Sequence, residues 1–250
     1  MKNSLLENTK GKVLIFEAIK KGFGIAQKAW LQILLFIVTN LVFRYISLEI
    51  ENSWVLLVPI LIAGVYLNVN VMVKVKSIYE NTDKGFVELL KESRNYIGKI
   101  VVVTILLSLL IMLILVAFTV LTLAFYNMAL LLVIALLISL AVFVFMYLLV
   151  NQGIVLRGLS IKEAFSVSKL IFKKNKLKFL GLSIITLFLE RTLDIVTHGN
   201  YSPLSVAIPI VVGVIYTSFI NIVLCVVYYQ ATQKVEDKET NSEAFIEVTA

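Results

Sequence analysis

Cysteine and histidine are nearly missing from this 250-residue chain, which contains one of each, Cys225 and His198. A single cysteine excludes a disulfide within the chain, and neither residue has a second thiolate or imidazole with which to share a metal ion. The chain also lacks a P-loop, a G-x-S-x-G nucleophile motif and an H-E-x-x-H zinc motif. We therefore expect no metal, no cofactor and no catalytic residue.

Charged side chains are missing from the whole stretch Ile100 to Val150. As one helix this stretch would be about 77 Å long at ~1.5 Å per residue, whereas a bilayer core is only ~30 Å thick. Tyr126 and Asn127 form the polar break near its middle, which predicts two spans joined by a short turn. Since hydrophobic residues make up 60% of the chain, against ~45–50% in ordinary globular domains, an all-α integral membrane protein is expected.

The apolar and amphipathic segments alternate along the chain, and they predict one membrane domain over residues 1–233 with an acidic disordered tail at 234–250. Ser160 and Glu163 form a capping-box pattern, which marks the start of a helix. The predicted spans are about 29–48, 54–73, 99–125, 128–150, 176–197 and 203–229. The predicted amphipathic helices, which lie in the headgroup plane, are about 12–28, 83–96 and 160–174.

Basic residues flank these spans on one side. Every lysine and arginine except Arg44 and Arg191 belongs to the N-terminal segment, the loops after spans 2 and 4, or the tail. The positive-inside rule then places both termini in the cytoplasm. The net charge of +7 is explained by anionic lipid headgroups rather than by nucleic acid. The lysines expected to contact headgroups are Lys20, Lys21, Lys28, Lys91, Lys169, Lys173 and Lys174; the alternative is that they are ordinary positive-inside flanks.

The order amphipathic helix, span, span occurs three times, which predicts three internal repeats. Glu17-Ala18 recurs as Glu163-Ala164, and a tyrosine is followed by an asparagine at Tyr66 and Asn70, Tyr147 and Asn151, and Tyr216 and Asn221. Parallel repeats of this kind place shared sites at the repeat interface in membrane proteins. The alternative is similar physics without common ancestry.

The segment from Arg157 to Ser168, RGLSIKEAFSVS, is followed by basic residues and then by Phe179-Leu-Gly-Leu182. This segment resembles the signature of a prokaryotic six-span family: the membrane domain attached to some glycerophosphodiester phosphodiesterases, and its stand-alone relatives. The resemblance implies the six-span fold and the prokaryotic cytoplasmic membrane, and it suggests lipid association. No catalytic residue carries over, because the soluble phosphodiesterase domain is absent from this chain.

Ionisable residues also lie within the predicted spans, where they are costly. Arg44 in span 1 and Glu190, Arg191 and Asp194 in span 5 predict a charge pair on the outer side of the bundle. Three interpretations remain open: solvation at the outer interface, a structural salt bridge between helices, and a substrate or proton site.

Amides in the spans predict a polar interior formed by Asn70, Asn151 and Asn221, either as hydrogen bonds between helices or as a transport path. Aromatic residues near the span ends predict an interface belt. Its members are Trp30, Tyr45, Trp54, Tyr126, Tyr201, Tyr228 and Tyr229.

These patterns favour a non-enzymatic scaffold or accessory protein in lipid or envelope processes, which binds anionic lipid through its basic amphipathic helices. A transporter or transporter subunit for lipids or small solutes is the alternative, and a membrane-embedded enzyme is a third class with little support. The expected partners are membrane lipids, with a membrane-protein partner or a second copy of the chain as a further possibility. No nucleic acid is expected.

Overall fold

The structure is a computed structural model, and it describes residues 14–49, 54–82, 84–125, 127, 129–179, 181 and 203–232. No strand occurs within those ranges, so the all-α class is confirmed. The helices are α1 (Ile15–Lys28), α2 (Trp30–Glu49), α3 (Trp54–Tyr79), α4 (Phe86–Ala124), α5 (Ala129–Tyr147), α6 (Val150–Arg157), α7 (Ile161–Lys174) and α8 (Pro203–Thr232).

Helix α4 joins two segments that the sequence predicts separately, the amphipathic segment 83–96 and the span 99–125. Its 39 residues form a rod about 58 Å long at ~1.5 Å per residue, nearly twice the ~30 Å of a hydrocarbon core. Gly98 does not interrupt the helix, because one glycine in a helix interior costs only ~1 kcal/mol. The charged first part of α4 therefore extends beyond the apolar part along the same axis.

The predicted span 128–150 is instead interrupted at Leu148 and Leu149, where α5 ends before α6 begins. Ser168 on α7 stabilises the interruption, since its hydroxyl accepts a hydrogen bond from the Leu149 amide at 3.2 Å and donates to the Met146 carbonyl at 2.8 Å. Side-chain groups commonly satisfy the backbone where a helix is broken. Gly158, with a φ of 64°, then ends α6 in a conformation that favours glycine.

The last part of α8 forms the centre of the bundle. Every residue from Ile222 to Tyr229 is buried, and this part of the molecule packs among α1, α2, α3 and α6. A helix that is buried on all faces must be apolar on all faces, and this stretch satisfies that requirement. The main core lies around it, formed by the end of α3 and by buried faces of α1, α6 and α7.

Two helices of the described part are long and apolar enough to cross a membrane, Phe86–Ala124 and Ile210–Thr232. A third candidate is the pair Ile15–Lys28 and Trp30–Phe43, which is bent by 75° where the two helices meet. These apolar helices suggest a membrane protein. The number of six spans and the repeats stay predictions, because span 5 lies outside the described residues from residue 182 onward.

The predicted capping box at Ser160 is present at the start of α7. The Glu163 amide donates to the Ser160 hydroxyl at 3.4 Å, and the Ser160 amide donates to the Glu163 carboxylate at 3.0 Å. These bonds satisfy backbone donors that a helix start leaves without partners. They fix the residue at which α7 begins, and so the direction in which its lysines point.

Candidate membrane-interface site

Helix α1 meets α2 at a bend of 75°, with only Ala29 between them. When α2 crosses a bilayer, a bend of this size lays α1 close to the membrane plane. The start of α1 is held to the bundle by a hydrogen bond of 3.1 Å, which the Leu14 amide donates to the Gln230 side chain at the end of α8. Helix α1 is thus positioned at both ends.

One face of α1 packs into the bundle, and this face was not identified from the sequence. Ala18, Gly22 and Ile25 are buried, and a Cβ on Gly22 would lie 3.0 Å from the Val223 side chain of α8. Small residues allow helices to approach closely in membrane proteins. The spacing Ala18-x3-Gly22 is therefore the signal that would have predicted the contact with α8.

A second edge of α1 carries the aromatic residues Phe16, Phe23 and Trp30, which are all exposed; Phe16 has 84% of its surface accessible. Helical spacing places these three residues on one apolar edge, and this edge is exposed rather than packed in the core. The Phe23 ring contacts the Phe219 ring of α8, at 4.6 Å between centroids. Exposed aromatic rings in a row are typical of a helix that inserts one side into the acyl region of a membrane.

The third side of α1 is basic. Lys21 forms an ion pair with Glu17 at 3.0 Å in which both side chains are exposed, a kind of pair that contributes little to stability. The seven lysines predicted to contact headgroups are exposed on α1, α4 and α7: Lys20, Lys21, Lys28, Lys91, Lys169, Lys173 and Lys174. Their exposure is what contact with headgroups requires.

An open groove of about 430 Å³ lies between α1 and the end of α3. Lys21 and Lys28 contribute its charge. Its full lining consists of Lys21, Gly24, Ile25, Lys28, Ile78, Tyr79 and Asn81. The groove therefore combines two basic groups, an apolar floor and two neutral polar side chains.

Tyr79 is held in the wall of this groove by a stacked contact with Tyr229, at 4.0 Å between ring centroids. Burial raises the pKa of the Tyr79 hydroxyl, and nearby Cys225 and Glu17 raise it further. The hydroxyl therefore keeps its proton at neutral pH and is a hydrogen-bond donor.

A polar cluster joins the end of α3 to the charged first part of α4. The Glu92 carboxylate accepts from Lys76 at 2.8 Å and from Lys84 at 2.7 Å, and Lys76 also donates to the Tyr96 hydroxyl at 2.9 Å. Nearby, the Tyr66 hydroxyl donates to the Leu90 carbonyl at 2.8 Å. These bonds attach the amphipathic part of α4 to α3.

In this cluster the hydrogen bonds between charged groups affect the pKa values more than burial does. Burial disfavours the charged form of Lys76, but its hydrogen bonds to Glu92 and Tyr96 outweigh burial, and its pKa is raised. Burial likewise raises the pKa of Glu92, but the hydrogen bonds from Lys76 and Lys84 outweigh it, and the pKa is lowered overall. The cluster is thus charged at neutral pH, and it links helices rather than presenting a reactive group.

The three asparagines predicted to form a polar interior lie on α3, α6 and α8, which pack against one another. Asn70 is buried and donates to the Ser93 hydroxyl at 3.2 Å; Asn221 donates to the Thr217 carbonyl of its own helix at 3.0 Å. The carboxamide oxygens of Asn70 and Asn151 are buried without a hydrogen-bond partner. Within the described ranges, no hydrogen bond connects the three asparagines to one another.

The predicted charge pair lies outside the described residues. Glu190, Arg191 and Asp194 belong to the segment 182–202, as does His198, and the side chain of Arg44 is not described either. No group of three metal-ligating side chains occurs in the part of the chain that the structure describes.

The belt prediction is wrong for Tyr228 and Tyr229, which are buried in the core. Tyr229 stacks on Tyr79 and lies 5.8 Å from the Arg157 guanidinium, so tertiary contacts occupy its ring. Trp30 and Tyr45 are exposed, as a belt requires. Tyr126, Tyr201 and the side chain of Trp54 lie outside the described residues.

Comparison of the chain with protein-family models, with curated proteins and with solved structures found no match. The resemblance of residues 157–182 to the membrane domain of glycerophosphodiester phosphodiesterases stays a prediction.

Proposed function

We propose that this chain is a non-enzymatic multi-pass membrane protein that acts as a scaffold or accessory factor in lipid or envelope processes by binding anionic lipid headgroups. The proposal rests on the orientation of α1 and on the side chains that it exposes. Helix α1 is bent by 75° from α2, it exposes Phe16, Phe23 and Trp30 along one edge, and it exposes lysines on the next side. This arrangement is typical of a helix in the interface, with its aromatic residues in the acyl region and its cations among headgroups.

Three repeats of an amphipathic helix and two spans would arrange these basic helices around one face. In each proposed repeat a glutamate precedes a buried small residue by five positions: Glu17 and Gly22, Glu88 and Ser93, Glu163 and Ser168. Gly22 approaches Val223 of span 6, Ser93 bonds Asn70 of span 2, and Ser168 bonds Leu149 of span 4.

Each amphipathic helix therefore packs on the second span of the preceding repeat, and the first helix packs on the last span. A closed ring of three units would have this pattern of contacts. The ring supports the six-span prediction, and it would place the basic helices together on the cytoplasmic face, with both termini in the cytoplasm. The resemblance stated above supports the prokaryotic cytoplasmic membrane as the location.

The depth of Trp30 tests the proposal. The chain contains two tryptophans, so Trp54→Phe leaves Trp30 as the only tryptophan. The purified variant is reconstituted into bilayers of phosphatidylcholine and phosphatidylglycerol that carry brominated acyl chains. Bromine close to the headgroup should quench Trp30 fluorescence more strongly than bromine close to the bilayer centre, because the ring lies at the interface.

Lipid selectivity supplies the second measurement. Changing Lys20, Lys21 and Lys28 together to glutamine should lower the ratio of phosphatidylglycerol to phosphatidylcholine that remains bound after detergent purification. At ~1 kcal/mol per cation near an anionic surface, the loss for three lysines is more than tenfold. Trp30 equally accessible to a water-soluble quencher with and without bilayers, together with an unchanged lipid ratio, would overturn the proposal.

A transporter is the second candidate, and the buried amides favour it. The carboxamide oxygens of Asn70, Asn151 and Gln152 are buried without a partner on helices that pack together. A buried acceptor without a donor costs ~1–3 kcal/mol, unless water or a solute supplies the donor. Uptake of a polar solute by proteoliposomes, abolished by Asn70→Leu, would favour transport over scaffolding.

A further inference from the structure

The groove between α1 and the end of α3 differs from the equivalent positions in the other two proposed repeats. Lys21 and Lys28 follow Glu17 by four and eleven positions. The position equivalent to Lys21 is Glu92 in the second unit, where two lysines neutralise it, and Val167 in the third, where it is buried. Two cations on one groove therefore occur at α1 and not at the corresponding positions of α4 and α7.

The positions of the two lysines suit one phosphate group. Residues seven apart on a helix are separated by two turns, about 10.5 Å, and both of these side chains line the same groove. Long, flexible lysine side chains converge on an anion between them across such a distance. The side chains that line the groove include no carboxylate, and the acid beside it, Glu17, is paired with Lys21. The ion pair of Lys21 with Glu17 is exposed and weak enough to be exchanged.

The remaining lining suits the part of a lipid below its phosphate. Ile25 and Ile78 provide an apolar floor, and the protonated Tyr79 hydroxyl and the Asn81 amide are neutral hydrogen-bond donors. The volume of about 430 Å³ is many times the ~30 Å³ of one water molecule. The groove lies beside α1, whose aromatic edge is directed toward the acyl region, so a lipid held there keeps its chains in the bilayer.

We propose that this groove is a discrete binding site for the phosphate headgroup of one anionic glycerophospholipid, held between Lys21 and Lys28 with its glycerol on Ile25 and Ile78. The inference rests on the proposed function, and it adds a defined position and a stoichiometry of one. If anionic lipid were attracted diffusely to the lysine-rich face, the affinity would depend only on the total charge. The affinity of a discrete site depends on which lysines are present and on whether a side chain occupies the groove.

The test counts phosphatidylglycerol molecules bound to the detergent-purified full chain by native mass spectrometry. Lys21→Gln/Lys28→Gln is compared with Lys99→Gln/Lys162→Gln, which removes the same charge from exposed lysines that lie outside the groove lining and outside the predicted headgroup contacts. A third variant, Gly24→Leu, keeps the charge and adds an apolar side chain to the groove lining, at a position where a Cβ meets no atom within 4 Å.

The wild-type chain should bind one phosphatidylglycerol more tightly than any further molecule. The groove double variant should weaken that first binding about 25-fold, because each lysine contributes a factor of about five. The control double variant should leave it within about twofold. Gly24→Leu should weaken it at least as much as one lysine does, with an unchanged thermal midpoint to show that the variant folds. Phosphatidylcholine should not compete, because its choline cation opposes the two lysines.

Equal losses in the groove and control variants, with anionic selectivity still present in the wild type, would overturn the discrete site and leave the proposed function intact. No anionic selectivity in any variant would overturn both. Inorganic phosphate that displaces the lipid at equal concentration would also overturn the inference, because the site would then recognise the free anion without its glycerol.

Discussion

Helices α4 and α8 are both apolar enough to span a membrane, yet their surroundings differ. In α4, 11% of the most apolar 18-residue segment is buried, whereas in α8 the share is 44%. The segment of α4 has the higher mean hydropathy, 3.3 against 2.5, and it is the more exposed of the two. The exposed residues of α4 include Leu109, Met112, Leu113 and Val116, whereas α8 is fully buried from Ile222 to Tyr229.

In this molecule the most hydrophobic helix surface is therefore exposed, and it does not form the packed core. Lipid chains are as apolar as leucine, so burying leucine against another helix gains little over leaving it in lipid. Helices in a bilayer associate through close packing and hydrogen bonds instead. The packed region contains these features: Gly22 against Val223, Ser93 with Asn70, and Ser168 at the interruption between α5 and α6.

A leucine-to-alanine truncation, made once in α8 and once in α4, tests this difference in burial. It has the largest expected effect on the free energy of unfolding. Leu224→Ala removes a side chain that is 3% exposed on α8, and it should lower the free energy of unfolding by about 2 kcal/mol, because packed neighbours cannot fill the cavity. Thermal unfolding in bicelles, followed by circular dichroism, measures the loss.

Leu113→Ala is the matched control, since Leu113 is 68% exposed on α4. Lipid fills the space that this truncation leaves, so the change should stay within about 0.5 kcal/mol. Equal losses at the two positions would mean that a second copy of the chain or another protein covers α4, and the contrast between the helices would then be wrong.

A second prediction concerns the polar cluster between α3 and α4. Glu92→Gln leaves the half-buried Lys76 and Lys84 without a counter-charge while preserving the shape of the side chain. The free energy of unfolding should fall by about 1.5 kcal/mol, because hydrogen bonds to charged groups are the stronger ones. Glu88→Gln, on the exposed side of the same helix, should have almost no effect.

The pH dependence of that difference follows from the direction of the pKa shifts. The pKa of Glu92 is lowered by folding, so its contribution is complete above the unfolded-state value near ~4.3 and is lost as the pH falls through the folded-state value. The pKa of Lys76 is raised, so its contribution is complete below ~10.4. The gap between wild type and Glu92→Gln should therefore be constant from about pH 8 to about pH 5 and narrow on further acidification; a gap that narrows by pH 6 would contradict the lowered pKa.

Much of the helical architecture could be predicted because its signals are local. The apolar runs predict helices, and the Ser160 and Glu163 pattern predicts the start of α7, because a capping box involves only four consecutive residues. The continuity of α4 through Gly98 and the interruption at Leu149 could not be predicted in this way. They depend on partners distant in sequence, such as Ser168 bonding the Leu149 amide.

The candidate site was predicted in part for the same reason. The exposed lysines and the aromatic edge of α1 follow from helical periodicity. The small face at Ala18 and Gly22 contributes almost nothing to a hydrophobic pattern, so periodicity alone missed it. Tyr228 and Tyr229 have the composition of an interface belt, and only the packing of α8 at the centre of the bundle shows that they are buried. The groove requires α1 and the end of α3 together, which no single stretch of sequence contains.

The smallest expected effect comes from a serine-to-alanine change made once at the start of α7 and once on the exposed part of α4. Ser160→Ala removes the acceptor for the Glu163 amide and one of the two donors that Ser160 provides to the Glu163 carboxylate, so the first turn of α7 loses its side-chain cap at a cost of about 1 kcal/mol. Ser108→Ala, on the exposed part of α4, should change the free energy of unfolding by less than about 0.5 kcal/mol. Hydrogen exchange at the amides of Ile161 to Glu163 measures the local effect, because loss of the cap frays that turn before the bundle unfolds. Unchanged exchange there would show that packing of Ala164 and Val167, rather than the cap, fixes the start of α7. Packing would then determine the structure at a helix end as it does in α8 at the centre of the bundle.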